Sequence, residues 1–341
     1  MFSETNDFFG RMAADNCLQV LTGKGVINNP AVSIIVPAFN VAEFIHDALL
    51  SIQLQSFNRY EIVVINDGSP DTLALEDVLA RFENEIVYIK QANRGVSAAR
   101  NAGIRHARGE LIALLDPDDS WTPDYLSTQI QFLHENPHLH VVYPNARCFG
   151  ESRFDGKEFM ELSPSRGPVS FESLVTQECN VMSSVLAKRS ALLSVGLYDE
   201  GLGSSEDFDI WLRLVKHGFK IGYHDRVLVN YRRREGSLSS NVEVACRNIS
   251  KVLRKAEKAF ELTPEERSAL TKGRLRFQAI LDWEKGKQAI REGNIEGAAR
   301  RLAEANRFFQ SKKLRLFIFL VRLSPSASKL LCRVLFRFTT Q

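Results

Sequence analysis

Hydrophobic positions in the first two thirds of the chain fall alternately into short continuous runs and into stretches with helical spacing. Val32-Ser-Ile-Ile-Val36 is a β-branched run closed by Pro37. Val41, Phe44, Ile45, Ala48, Leu49 and Ile52 then recur at helical intervals, with Asn40 placed to cap the helix and Glu43 three residues on. A second run, Glu61–Ile65, breaks at Asn66-Asp67-Gly68-Ser69 and precedes a helix that turns Val78, Leu79 and Phe82 inward. Ile86–Ile89 is a third strand. A helix of small residues opens after Asn93-Arg94-Gly95 and stops at Gly109, and Leu111–Leu115 is a fourth strand. Alternation of this kind, with short connections, predicts an α/β fold on a mostly parallel, doubly wound sheet. His140–Tyr143, Val181–Ala187 and Val227–Tyr231 read as further strands, Glu206–Leu214 as a helix with an acidic start, and 150–168 as a loop. Residues 1–30 form a weakly patterned extension with at most a helix before Gly23. The α/β domain is expected over 31–240 and an all-helical region over 241–341.

The fourth strand carries the most pointed chemistry. Leu111-Ile-Ala-Leu-Leu115 is too short for a helix and right for a buried parallel strand, and it runs into Asp116-Pro-Asp118-Asp119. Such a strand ends at the carboxyl edge, where open α/β sheets place their ligands. Three carboxylates so close repel one another unless a cation sits among them. A hard divalent ion, Mg²⁺ or Mn²⁺, meets that demand through carboxylate oxygens. An Asp- and Pro-rich turn leading into the next helix is the plain alternative. His134, His138 and His140 have ligand-like spacing, but Pro137 breaks the helix that would align them, which leaves a polar turn. No Gly-x-x-x-x-Gly-Lys-Ser or Gly-x-Gly-x-x-Gly loop occurs, so NTPase and dehydrogenase readings lack their defining element.

Pro37-Ala-Phe39-Asn40, Asn66-Asp67-Gly68-Ser69, Ala98-Ala-Arg100-Asn101, Asp116-Pro-Asp118-Asp119 and Glu206-Asp207 stand in this order between about Val32 and Ser240. Together they resemble the motifs of family 2 glycosyltransferases with the GT-A fold. The resemblance implies inverting, metal-dependent transfer of a sugar from a nucleotide-diphosphate donor, with UDP- or dTDP-sugars favoured. The acceptor would be a hydroxyl of a glycan or lipid-linked glycan in cell-surface polysaccharide synthesis. It places Pro37, Phe39 and Asn40 around the donor's base, Asp67 in a hydrogen bond with the base's N–H, Arg94 or Arg100 at the phosphates, and Asp116 at the ribose. Asp118, with Asp119, would hold the Mg²⁺ or Mn²⁺ that bridges the diphosphate. Asp207 stands where the family keeps its catalytic base. Arg232, Arg233 and Arg234 would fall in a loop that closes over the donor, with Arg232 pairing with the diphosphate. Asn66 departs from the family's two acids at this turn. Taken without the family, Asp67 is also a turn cap and Glu206-Asp207 an acid pair at a helix start. Two rivals keep some of the same features. A nucleotidyltransferase would need a basic triphosphate loop near the first strand, and Pro37-Ala-Phe39-Asn40 is not basic. A catalytically silent nucleotide-sugar-binding scaffold would act through its helical tail.

Charge separates two parts. Residues 1–244 hold 22 Lys/Arg against 32 Asp/Glu, whereas 245–341 hold 22 against 9. In the basic part Trp283, Gly286, Ala289, Gly293, Ile295, Ala298, Leu302 and Ala305 are spaced as in a single tetratricopeptide repeat or a plain helical hairpin. Leu330, Leu331, Val334, Leu335 and Phe338 share one helical face, and Lys329, Arg333 and Arg337 another. That pattern suits an anionic membrane surface, and equally a helix that covers the hairpin or a protein partner. Five scattered cysteines, a start without a basic-then-apolar leader and no run of about 20 apolar residues set the expectation of a cytoplasmic protein. Residues 311–341 would meet the inner membrane face, and no nucleic-acid partner is expected.

Overall fold

The computed structural model describes residues 18–150, 154–234 and 241–323. They divide into two compact units, residues 18–171 with 178–234, and residues 172–177 with 241–323. The chain runs β1 (Gln19–Thr22), β2 (Val32–Ala38), α1 (Ile45–Gln53), β3 (Tyr60–Asp67), α2 (Thr72–Leu79), β4 (Ile86–Gln91), α3 (Val96–His106) and β5 (Leu111–Leu114). It continues through β6 (Ser120–Trp121), α4 (Tyr125–Glu135), β7 (Val141–Phe149), α5 (Phe159–Leu162), α6 (Phe171–Val175), β8 (Leu186–Lys188), α7 (Arg189–Ser194), α8 (Glu206–Lys216) and β9 (Ile221–Arg232). Four helices follow: α9 (Val242–Ala259), α10 (Pro264–Glu292), α11 (Ile295–Phe309) and α12 (Lys312–Leu323).

One mixed sheet, in the order β1-β4-β3-β2-β5-β8-β7-β9-β6, organises the first unit. β4, β3, β2 and β5 are parallel, as the alternation predicts. β8 lies antiparallel between β5 and β7, and β1 and β6 are antiparallel edge strands. Every residue of β2 is buried, which explains its lack of period-two alternation. Pro37 lies within this strand, paired with Ile65. The β5 ladder has already stopped at Ile35 opposite Leu114, so the N–H that proline lacks is not missed there. β2 has β3 on one side and β5 on the other, the point at which strand order reverses. Loops leaving the carboxyl ends of β2, β3 and β5 therefore meet over one crevice.

Several expectations are corrected. The stretch before Gly23 forms β1, with Gln19–Thr22 paired to Val87–Lys90, and not a helix. Asn40 does not cap α1. It adopts φ 54° and its N–H donates to Ser69 Oγ at 2.6 Å, while α1 starts only at Ile45. Only the end of Val181–Ala187 is strand, because Ser183 and Ser184 are drawn into side-chain contacts with Asp116 and Trp121. β7 and β9 outrun their apolar cores because they pair with each other from Val141 to Phe149.

The second unit is helical. Gly293, at φ 81°, ends α10, and the Asn294 side chain caps α11 by accepting the Gly297 N–H. A β-carbon on Gly286 would stand 2.7 Å from Leu302 Cγ and Cδ2, so the small residues of the repeat-like pattern mark where α10 and α11 touch. Among the described residues no helix is long and apolar enough to cross a membrane. The apolar and basic faces expected over 329–338 lie outside the described residues.

Candidate active site

The site is built from the loops at that crevice. The loop after β2 is tied to the loop after β3: Ser69 Oγ takes the Asn40 N–H, and Asp71 Oδ2 takes the Ala42 N–H at 2.8 Å. Phe39, 46% exposed, is left projecting beside them. Asn66 is fully buried. Its Oδ1 accepts the Ser69 N–H while its amide donates to Thr72 Oγ1 and the Tyr88 hydroxyl. It acts as the turn's internal cap. Asp67 is also buried, and its carboxylate accepts from Gln91 Nε2 and from the Arg94 and Gly95 N–H groups at 2.7–3.0 Å. It therefore fixes the start of α3.

The resemblance implies a phosphate contact for Arg94 or Arg100; Arg100 is enclosed, because α3 is buried from Ser97 to Ile104. The guanidinium is enclosed and shared among three carboxylates: Glu206 at 2.6 Å, Asp116 at 2.9 Å and Asp207 at 3.1 Å. Burial disfavours its charge, yet the three acids hold its pKa well above the ordinary value. Asn101 holds the adjacent turn, donating to Tyr198 O and Glu200 Oε1 and accepting the Tyr198 N–H. Ser205, in left-handed conformation at φ 63°, then starts α8 so that Glu206 and Asp207 fall in its first turn.

Asp207 remains 24% exposed and Asp116 25%. Burial raises the Asp207 carboxyl to about 7; Arg100 pulls against that rise, and Glu206 and Asp116 add to it. A carboxylate so poised suits general-base work near neutral pH. Ser183 Oγ donates to Asp116 Oδ2 at 2.8 Å, a contact that no sequence pattern announced.

The acids after β5 take three different environments. Asp116 belongs to the Arg100 cluster. Asp118 accepts from Arg234 Nε at 2.8 Å. Asp119 turns inward, 2% exposed: its Oδ1 accepts the Arg232 N–H, and its Oδ2 has no hydrogen-bond partner among the described residues. Burial beside Asp116 and Asp118 raises its pKa well above the usual carboxylate range. Arg232 donates through Nε to Asp118 O and lies over the rings of Phe149 and Phe44 at 4.4 and 5.0 Å. Its guanidinium is thus held by protein contacts, whereas the Arg234 guanidinium pairs with the Asp118 carboxylate and lies over Phe44 at 4.9 Å.

Among the described residues no three His, Cys, Asp or Glu side chains form a ready metal cage. The chemistry of the acids nonetheless fits a hard divalent ion: Asp118 offers carboxylate oxygen, 17% exposed, and already has a cation for a partner. Asp118 would hold such an ion, and Asp119 lies buried beside Asp118 with Oδ2 left without a hydrogen-bond partner among the described residues.

Residues 33–192 match the family model described as glycosyl transferase family 2. Apart from residues 172–177, the matched stretch lies within the α/β unit, which is therefore similar to the domains of that family. Among curated relatives, an uncharacterized glycosyltransferase of Rickettsia conorii is 29% identical over 219 residues, covering 63% of this chain and 35% of the relative. The chain thus spans about a third of that protein's length. TuaG of Bacillus subtilis, a putative teichuronic acid biosynthesis glycosyltransferase, is 26% identical over 234 residues, 67% of this chain and 89% of TuaG. S. aureus TarS (residues 1–349) in complex with UDP-GlcNAc shares the fold at a TM-score of 0.57 and 20% identity, over 86% of this chain and 87% of that one. A mannosyltransferase of Pyrobaculum calidifontis in complex with GDP-Man and Mn²⁺ does so at 0.58 and 19%, over 88% and 86%.

Proposed function

We propose that this chain is an inverting glycosyltransferase that moves a sugar from a nucleotide-diphosphate donor to a hydroxyl of a surface glycan or its lipid-linked precursor. The observation that carries the reading is the cluster around Arg100. One buried cation joins an acid of the donor side, Asp116, to the acid pair of the acceptor side, Glu206-Asp207. The teichuronic acid role printed for TuaG supports the acceptor class. The UDP-GlcNAc held by TarS supports a uridine or thymidine donor.

In this reading Phe39 faces the base, Asn40 and Pro37 shape its wall, and Asp67 sets the Arg94-Gly95 turn against it. Asp116 meets the ribose. Asp118 would hold a Mg²⁺ or Mn²⁺ ion, whose charge would offset that of the departing diphosphate. The acceptor oxygen forms a bond to the anomeric carbon as the bond from that carbon to the phosphate oxygen breaks, and its proton passes to Asp207. Attack from the side opposite the leaving group inverts the centre. Arg100 keeps Asp207 oriented, and Glu206 on the same guanidinium limits the charge Arg100 can lend it. Arg234, paired with Asp118, would supply a further cation for the diphosphate. The protein acts in the cytoplasm at the inner membrane face.

Asp207→Asn tests the assignment. The amide keeps size and reach but accepts no proton, so donor affinity by calorimetry should survive while transfer falls about 10²–10⁴-fold. Near-normal turnover removes Asp207 as the base. The pairing of Asp118 with Arg234 also suits a silent nucleotide-sugar-binding scaffold, and wild-type donor binding without any turnover would establish that alternative.

A further inference from the structure

Among the described residues, the second unit presents a face that their packing leaves exposed. On α12, Leu314, Phe317, Ile318 and Val321 are buried with Ile290, Ala298, Ala299 and Leu302 of the hairpin. The other side exposes Leu316 (60%) and Phe319 (57%), and Phe309 at the end of α11 is 40% exposed. Lys312, Lys313 and Arg315 stand exposed around them. After Glu304 the sequence holds eight Lys and Arg and no Asp or Glu through 341. Large apolar side chains in water, ringed by one sign of charge, mark an interaction surface.

The chemistry selects among occupants. Lysines are depleted in protein–protein interfaces, particularly from their cores, whereas here they lie directly beside the apolar residues. A second copy of this face would set cations against cations. An anionic bilayer accepts both features at once, with Lys and Arg at the headgroups and Leu and Phe at the acyl boundary. We propose that the outward face of α12, formed by Lys312, Lys313, Arg315, Leu316 and Phe319, is a docking surface for anionic lipid. The hairpin fastens one side of the helix and so keeps the other side presented. This deepens the membrane placement proposed above, and its readout is lipid binding with no donor present, so it fails separately from the assignments in the donor site.

The test is flotation of the full chain with vesicles of phosphatidylcholine alone or of phosphatidylcholine with phosphatidylglycerol. The wild type should float with the anionic vesicles only and be released by salt. Lys312→Gln and Lys313→Gln should each weaken binding about fivefold. Leu316→Glu with Phe319→Glu should abolish it while the thermal transition stays in place, because both side chains are exposed. Equal flotation with both vesicle types overturns the proposal, as does unchanged flotation of the double variant. A dimer in sedimentation velocity that the double variant dissolves without lipid would assign the face to a second copy and overturn it as well.

Discussion

Arg100 is 3% exposed, and a guanidinium so enclosed persists because three carboxylates face it. Its removal leaves those acids uncompensated, so Arg100→Gln should cost about 3–5 kcal/mol of stability. Scanning calorimetry checks this: a phosphate contact would instead lower donor affinity and leave the transition untouched. Asp207 carries a second residue-scale prediction. With its carboxyl near 7, the base form is present above that pH and is lost as pH falls through it. The rate should therefore rise with pH through about 7 and level off, and Asp207→Asn should lack this limb. The positions of these residues were legible in the sequence because the motifs name them one by one. Their partners were not. Ala98, Ala99, Asn101 and Ala102 beside Arg100 are all buried, and this run of small residues was the available sign that α3 is packed on more than one side. Nothing in Met182-Ser183-Ser184 marked Ser183 as the partner of Asp116.

At the scale of elements, close approach explains what propensity left open. A β-carbon on Gly103 would stand 2.7 Å from Ile35 Cγ2 and Ile65 Cδ1, so α3 lies directly on β2 and β3 and carries Arg100 to the sheet's edge. Gly286 does the same service between α10 and α11. Gly286→Val should overpack that contact and cost about 1–3 kcal/mol. Faster hydrogen exchange in α10 and α11 would show it, with β2 and β3 unaffected. The parallel strands β2 to β5 were legible because two-sided burial leaves continuous apolar runs. β1 was missed because it is an edge strand with only alternate residues partly covered, Gln19 and Leu21. The lengths of β7 and β9 depend on each other's pairing, which no local pattern records.

For the whole molecule, the opposed charges of the two parts and the crevice at the strand-order reversal suit the two roles proposed above, donor binding in the acidic α/β unit and other work in the basic helical unit. In that proposal Asp118 and a divalent ion together hold the donor's diphosphate. Calorimetric titration of UDP into the full chain, with and without Mn²⁺, in the wild type and in Asp118→Ala, tests it directly. Binding that requires Mn²⁺ in the wild type and disappears in Asp118→Ala is the predicted result. Equal UDP affinity with and without Mn²⁺, or undiminished Mn²⁺-dependent binding in Asp118→Ala, would contradict it.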